Sequence, residues 1–315
     1  MARVVVSEFM HRAAVDTLRA RHEVLYDARL VEEGRRLLAV APSADALVVR
    51  NRTQVRGELL AALTSCKVVG RLGVGYGNID ATGCAERGIE VVTARGASAQ
   101  SVAEYVIATA LRLLRGAYEG SAGMVAGHWP RTALSAGREI GGKTLGLVGF
   151  GATGRHTAKL AQGMGMQVIA HEPRPERAQA QGAPRFATLD EAVTRADVLS
   201  LHVPLTGATW RLIDAGRIGT MKPGAVLIDT AQGGVVDEVA LAAALKSGHL
   251  GGAALDVFET EPLPGANAFA GCPNLILTPH IAGLTQEANQ RAGVAIAEAL
   301  LERLSSLSPL GKGPA

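Results

Sequence analysis

The stretch Thr144-Leu145-Gly146-Leu147-Val148-Gly149-Phe150-Gly151-Ala152-Thr153-Gly154 constrains this chain more than any other. A short apolar run rich in β-formers stops at glycines spaced G-x-G-x-x-G, and a helical pattern follows at once. That order reads as strand, tight turn and helix N-terminus. Gly149 permits the turn, Gly151 lets backbone approach a ligand, and Gly154 lets helix and strand pack closely. The N–H groups that open the helix at Ala152, Thr153 and Gly154, together with its dipole, favour an anion such as a dinucleotide pyrophosphate. Spacing alone is weak support in a chain with 38 glycines. Its context decides.

A dinucleotide turn of this kind expects an acid about 20 residues further on, at the end of the next strand. Glu172 stands there, in His171-Glu172-Pro173. A carboxylate at that place accepts the ribose hydroxyls and repels a 2′-phosphate, which favours NAD over NADP. Arg174 and Arg177 lie close by and weigh the other way.

The patterning around the turn is a βα alternation. Before it, Val4–Val6, Glu23–Tyr26, Ala46–Val49, Lys67–Leu72 and Ile89–Thr93 read as strands, with helices over 11–21, 31–40 and 79–86 and a helix after Thr53, which is expected to cap it. Ser101 to Tyr118 reads as one long apolar helix. From the glycine turn onward six strands are expected, Thr144–Phe150, Gln167–His171, Asp197–Val203, Ala225–Asp229, Ala253–Val257 and Leu275–Leu277. Thr285 to Leu304 forms a last helix and Ser305 to Ala315 a frayed tail. Strands alternating with helices argue for two doubly wound α/β parallel sheets, the second of Rossmann type.

A length of 315 residues suits two domains with separate cores. The net charge of +3, with no basic block, gives no argument for nucleic acid, and 3% aromatics leave little for base stacking. No apolar stretch approaches the ~18–20 residues that span a bilayer. Cys66, Cys84 and Cys272 are odd in number and far apart, which argues against a disulfide framework or a zinc site. The expectation is a cytoplasmic protein without a metal or a membrane anchor.

Three pieces stand at the C-terminal strand edge of the second series. They are Asp229-Thr230-Ala231-Gln232-Gly233-Gly234, then Asp256-Val257-Phe258-Glu259-Thr260-Glu261-Pro262, then Thr278-Pro279-His280. With Gly73-Val74-Gly75-Tyr76, Ser101-Val102-Ala103-Glu104, Leu201-His202-Val203-Pro204-Leu205-Thr206 and Met221-Lys222-Pro223-Gly224, they make the chain resemble the D-isomer-specific 2-hydroxyacid dehydrogenases along nearly its whole length.

The resemblance implies that His280 is the general acid/base and Glu261 its partner, and the chemistry agrees. Hydride transfer at an alcohol carbon requires moving the hydroxyl proton, and histidine is the side chain that titrates near neutral pH. It also implies cofactor contacts at Gly149, Gly151, Ala152, Thr153, Gly154, Glu172, Val203, Pro204, Thr230, Asp256 and His280, and backbone contacts to substrate at Val74 and Gly75. The family's third catalytic residue is an arginine, and Gln232 occupies its slot. An amide offers one neutral hydrogen bond where guanidinium offers a charged fork. That leaves open a weakened enzyme, an engineered change, a shifted substrate or another arginine supplying the charge. Gly77 also departs from the family's usual Asp or Asn.

Arg50, Arg52 and Arg71 end strands of the first series on the same edge, which points to a substrate with a second anionic group. The expected organisation is a substrate domain over 1–98 and 285–315 and an NAD-binding Rossmann domain over 99–284. The segment Trp129-Pro130-Arg131 resembles the one that crosses to the partner subunit in the family's dimers, implying a homodimer through the NAD domain. The expected function is hydride transfer between NAD(H) and a D-2-hydroxy or 2-oxo acid. The alternative is a weakened or inactive NADH-binding sensor resembling the C-terminal-binding corepressors.

Overall fold

A computed structural model of the chain describes residues 1–174 and 184–306. Arg177 and the expected tail beyond residue 306 lie outside the described residues. The chain divides into two compact units, Met1–Ser98 with Leu284–Ala315, and Ala99–Gly283.

The first unit contains β1 (Arg3–Val6), α1 (Arg12–Arg19), β2 (Glu23–Tyr26), α2 (Gly34–Val40), β3 (Ala46–Val49), α3 (Gly57–Ala62), β4 (Val68–Arg71), α4 (Ala81–Glu86) and β5 (Glu90–Thr93). Its five strands are parallel in the order β2-β1-β3-β4-β5. Alternation along each strand decides the faces, because successive side chains point to opposite sides. Val4, Val6, Val48 and Val68 pack on one side with Ala14, Leu18, Ile296 and Leu300, while Val5, Leu47, Val49 and Val69 pack on the other with Leu37, Leu59 and Leu60. Thr53 does not cap a helix. It is buried, its N–H is taken by Glu8, and α3 starts later with Arg56 at its N-cap.

The second unit begins with α5 (Ala99–Arg115), which starts two residues earlier and ends three residues earlier than the expected helix. Gly116, at φ +60°, stops it, and a single 3₁₀ turn over Ala117–Gly120 follows. Then come α6 (Ser121–Val125), α7 (Arg131–Leu134), β6 (Thr144–Val148), α8 (Ala152–Gly163), β7 (Gln167–His171), β8 (Arg185–Phe186), α9 (Leu189–Arg195), β9 (Val198–Leu201), α10 (Ala215–Thr220), β10 (Val226–Asp229), α11 (Glu238–Lys246), β11 (Gly252–Leu255) and β12 (Leu275–Leu277). The sheet has seven parallel strands, not six, in the order β12-β11-β10-β9-β6-β7-β8. The extra strand β8 is two residues long, too short to carry a period-2 signal. Returning to the first unit, α12 (Gln286–Ser306) lies against α1 and β4.

Both sheets are parallel, so all their strands end on one edge. Loops after neighbouring strands diverge where the chain order reverses, between β1 and β3 in the first sheet and between β6 and β9 in the second.

Candidate active site

The glycine turn lies at the reversal point of the second sheet. Gly149 has φ +96°, and a Cβ there would come within 2.6 Å of the His202 carbonyl oxygen. A Cβ on Gly154 would collide with the Gly149 carbonyl, so helix α8 sits against the end of β6 only because that position is glycine. Gly151 differs. It is the N-cap of α8, no side chain caps it, and a Cβ there would meet nothing within 4 Å. Open space in front of free helix N–H groups is what a pyrophosphate needs.

Glu172, at the end of β7, reaches the same turn. Its Oε2 accepts the Phe150 N–H at 3.1 Å and its Oε1 the Arg174 N–H at 3.3 Å. Each oxygen keeps a lone pair for a ribose hydroxyl. The residues present therefore fit a dinucleotide with an unmodified ribose. Val203 and Pro204 follow β9, and Thr230 follows β10 with its buried Oγ1 unpartnered.

His280 stands in a turn after β12. Its Nδ1 lies 2.8 Å from Glu261 Oε2, and Glu261 Oε1 accepts the Phe258 N–H at 3.1 Å. The histidine is a non-glycine residue at φ +57°, a region L-residues rarely adopt. Asp256 is what holds it there. Its buried carboxylate accepts the Thr278 hydroxyl at 2.5 Å, the Ile281 N–H at 2.8 Å and the Ala282 N–H at 2.8 Å. Tyr105 on α5 extends the network, 2.8 Å from Thr278 Oγ1. Asp256 was expected to contact the cofactor. Its oxygens are instead occupied by the turn that carries His280, a use that no spacing in the sequence signals.

Gln232 lies in the loop between β10 and α11 and is exposed. Asp229 anchors the loop's start, its Oδ1 accepting the Ala231 N–H at 2.8 Å. Burial raises the Asp229 carboxyl to about 7. A Cβ on Gly233 would overlap the Phe258 carbonyl, so the Gln232 loop is pressed against the loop that bears Glu261. Glu238 ties the two again by accepting the Glu259 N–H at 2.7 Å. Arg211, also at positive φ, reaches Asp237 and Glu259 at 3.5 Å each. With both of those acids beside it, Arg211 is not a free cation.

In the first unit, Val74 and Gly75 lie in an exposed loop after β4, with open space at Gly75. Arg50 and Arg71 are both half-buried, and the charge of Arg50 reaches Arg71. Burial lowers both guanidinium pKa values, and for Arg71 the charge of Arg50 adds to the effect. Arg71 folds back over Gly73, and its buried Nε has no partner. Arg50 donates to Asn289 Oδ1. Arg52 departs from the expected trio. Its exposed guanidinium is paired with Glu32 at 3.2 Å, because the loop turns between residues 50 and 52. Two arginines converge, not three. Glu8, Asn78 and Asn289 frame them, and sequence reading missed all three because they come from distant parts of the chain. Among the described residues no group of three or more His, Cys, Asp or Glu residues is arranged to hold a metal, and no helix is long and apolar enough to cross a membrane.

Residues 107–282 match the sequence profile of the D-isomer specific 2-hydroxyacid dehydrogenase NAD binding domain. The chain is 51% identical over 296 residues to an (S)-sulfolactate dehydrogenase of Chromohalobacter salexigens, covering 92% of this chain and 94% of the relative. It is 39% identical over 300 residues to a D-3-phosphoglycerate dehydrogenase of Methanocaldococcus jannaschii, covering 95% of this chain but only 56% of that longer protein. Among solved structures, the TT0316 protein from Thermus thermophilus superposes with a TM-score of 0.83 at 34% identity, covering 98% of both chains.

Proposed function

Because the chain belongs to the D-isomer-specific 2-hydroxyacid dehydrogenase family, we propose that it moves a hydride between NAD and a D-2-hydroxy acid bearing a second anionic group. A sulfonate is the first choice and a phosphate or second carboxylate the next. The observation that carries this reading is the pair Arg50 and Arg71, two half-buried guanidiniums with no carboxylate in ion-pair contact among the described residues. Desolvated cations with no carboxylate in direct ion-pair contact are suited to an anion that arrives with the substrate.

The relative's (S) descriptor agrees with D-specificity. In 3-sulfolactate the sulfur-bearing arm outranks the carboxylate, so the D arrangement that is (R) in lactate becomes (S). The handedness is the same.

In the oxidative direction, the bond to Glu261 requires a proton on His280 Nδ1, so Nε2 presents its lone pair to the substrate hydroxyl and takes its proton. When bound, NAD accepts the hydride leaving the 2-carbon. Free N–H groups at Gly151 to Gly154 hold the pyrophosphate and Glu172 holds the ribose. Asp256 keeps His280 in its turn. Gln232 donates a neutral hydrogen bond to the acid end of the substrate. A homodimer formed through the second unit accounts for an exposed apolar group at Tyr118, Met124, Val125 and Trp129. Three cysteines without a disulfide suit a reducing cytoplasm.

The test is NADH oxidation with 3-sulfopyruvate, phosphohydroxypyruvate, oxaloacetate and pyruvate. The dianionic acids are expected to exceed pyruvate in kcat/KM by at least about tenfold, the worth of one bond to a charged group. Equal turnover of all four would remove the anion reading. Tight NADH binding with no turnover would restore the sensor alternative.

A further inference from the structure

One buried carboxylate of the first unit has no part in the chemistry above. Glu8 lies two residues past the end of β1 and is 4% exposed. Its Oε1 accepts the N–H groups of Arg50 at 2.8 Å and Thr53 at 2.9 Å, and its Oε2 accepts that of Arg52 at 3.2 Å. All three donors belong to the loop after β3. The sheet order sets β1 beside β3 although β2 intervenes in the chain, so this clamp lies where the strand order reverses and ligands of open α/β sheets settle.

The same loop is held from a second side. Asn78 Nδ2 donates to the Thr53 carbonyl at 2.7 Å and the Arg50 carbonyl at 3.3 Å, and Ser7 Oγ lies 3.0 Å from Thr53 Oγ1. Out of this fastened backbone the Arg50 side chain extends to Asn289, beside Arg71. Two cations brought together and partly desolvated repel each other. The Glu8 charge acts on both with the opposite sign.

We propose that Glu8 is a specificity-determining positioning residue: by fastening the Arg50–Thr53 loop and offsetting the repulsion between Arg50 and Arg71, it sets the affinity for the substrate's second anionic group and not for its 2-oxo acid end. This rests on the reading of Arg50 and Arg71 given under Proposed function. Glutamine at position 8 keeps the shape but turns an NH₂ group toward N–H donors, so at least one donor loses its acceptor. Aspartate keeps the charge but is one methylene short of reaching the loop.

Steady-state kinetics of the full-length protein with 3-sulfopyruvate and pyruvate test it, with circular dichroism to confirm folding. In Glu8→Gln, KM for 3-sulfopyruvate is expected to rise about tenfold or more while kcat and KM for pyruvate stay within about twofold, with Glu8→Asp in between. Inorganic sulfate should raise the melting temperature of the unaltered protein and not that of Glu8→Gln. An equal loss on both substrates, or an unchanged ratio between them, overturns the proposal. If Glu8→Gln does not fold, the Glu8→Asp ratio decides by the same criterion. An unaltered protein with no preference for 3-sulfopyruvate would instead overturn the Arg50–Arg71 reading itself.

Discussion

At the scale of single residues, the substitution of chemistry at position 232 has the widest consequence. Gln232 sits in a loop locked against the loop of Glu261. A charged partner contributes ~1.5–3 kcal/mol against ~1 for a neutral one. Gln232→Arg is accordingly expected to raise kcat/KM for simple 2-oxo acids by roughly tenfold or more. A mutant slower on every substrate would show that the amide is itself an adaptation. Asp229 offers a pH signature of the same loop. Burial raises its carboxyl from 3.8 to about 7, so the folded protein keeps a proton that the unfolded chain releases. The stability tied to that proton is fully present below about pH 4 and is lost as pH rises through about 7. Asp229→Asn should match the unaltered protein near pH 4 and exceed it near pH 8 by up to about 4 kcal/mol. Denaturant midpoints of the two that run parallel across this window would contradict it. His280 and Glu261 were legible in the sequence, because each lies in a short motif at a strand end. The bonds of Asp256 to the turn at Thr278, Ile281 and Ala282 were not legible, because they depend on where the chain places residues 278 to 282.

At the scale of elements, the junction of β6 and α8 carries two glycines with separable functions. Gly154 is a packing requirement of the protein alone, since a Cβ there would strike the Gly149 carbonyl. Gly151 faces open space, so its lack of a side chain matters only to a bound ligand. Gly154→Ala should therefore cost about 1–3 kcal/mol of stability. Gly151→Ala should leave the melting temperature nearly unchanged and weaken NADH binding by roughly tenfold or more, about 1.4 kcal/mol. Calorimetry and a fluorescence titration of both variants check the pair. Loss of stability in Gly151→Ala with full NADH affinity would refute this division. The strand-turn-helix itself was legible because glycine spacing and apolar period are local signals. The helix after Thr53 is present, but its start was not legible, for the complementary reason. Thr53 has the side chain of a cap, but its hydroxyl pairs with that of Ser7, 46 residues away.

At the scale of the whole molecule, each unit buries both faces of a parallel sheet, yet Val125 and Trp129 remain 92% and 74% exposed. Apolar side chains grouped this way in an otherwise well-buried unit are suited to a second copy of the chain. A double variant, Val125→Glu with Trp129→Glu, is expected to halve the mass seen by light scattering while leaving the single-unit cores intact. An unaltered protein that is already monomeric would end that proposal. The βα alternation, the cofactor turn with Glu172, and the His280–Glu261 motif were determined by the sequence itself, since each depends on residues a few positions apart or on a period of 2 or 3.6. Only the tertiary structure decided which charges meet. Sheet order sets β1 beside β3 and folds α12 back onto the first unit, and so gathers Glu8, Arg50, Arg71, Asn78 and Asn289 from across the chain while Arg52 goes to Glu32. Strand pairing is non-local, and no pattern along the chain encodes which loops it will bring side by side.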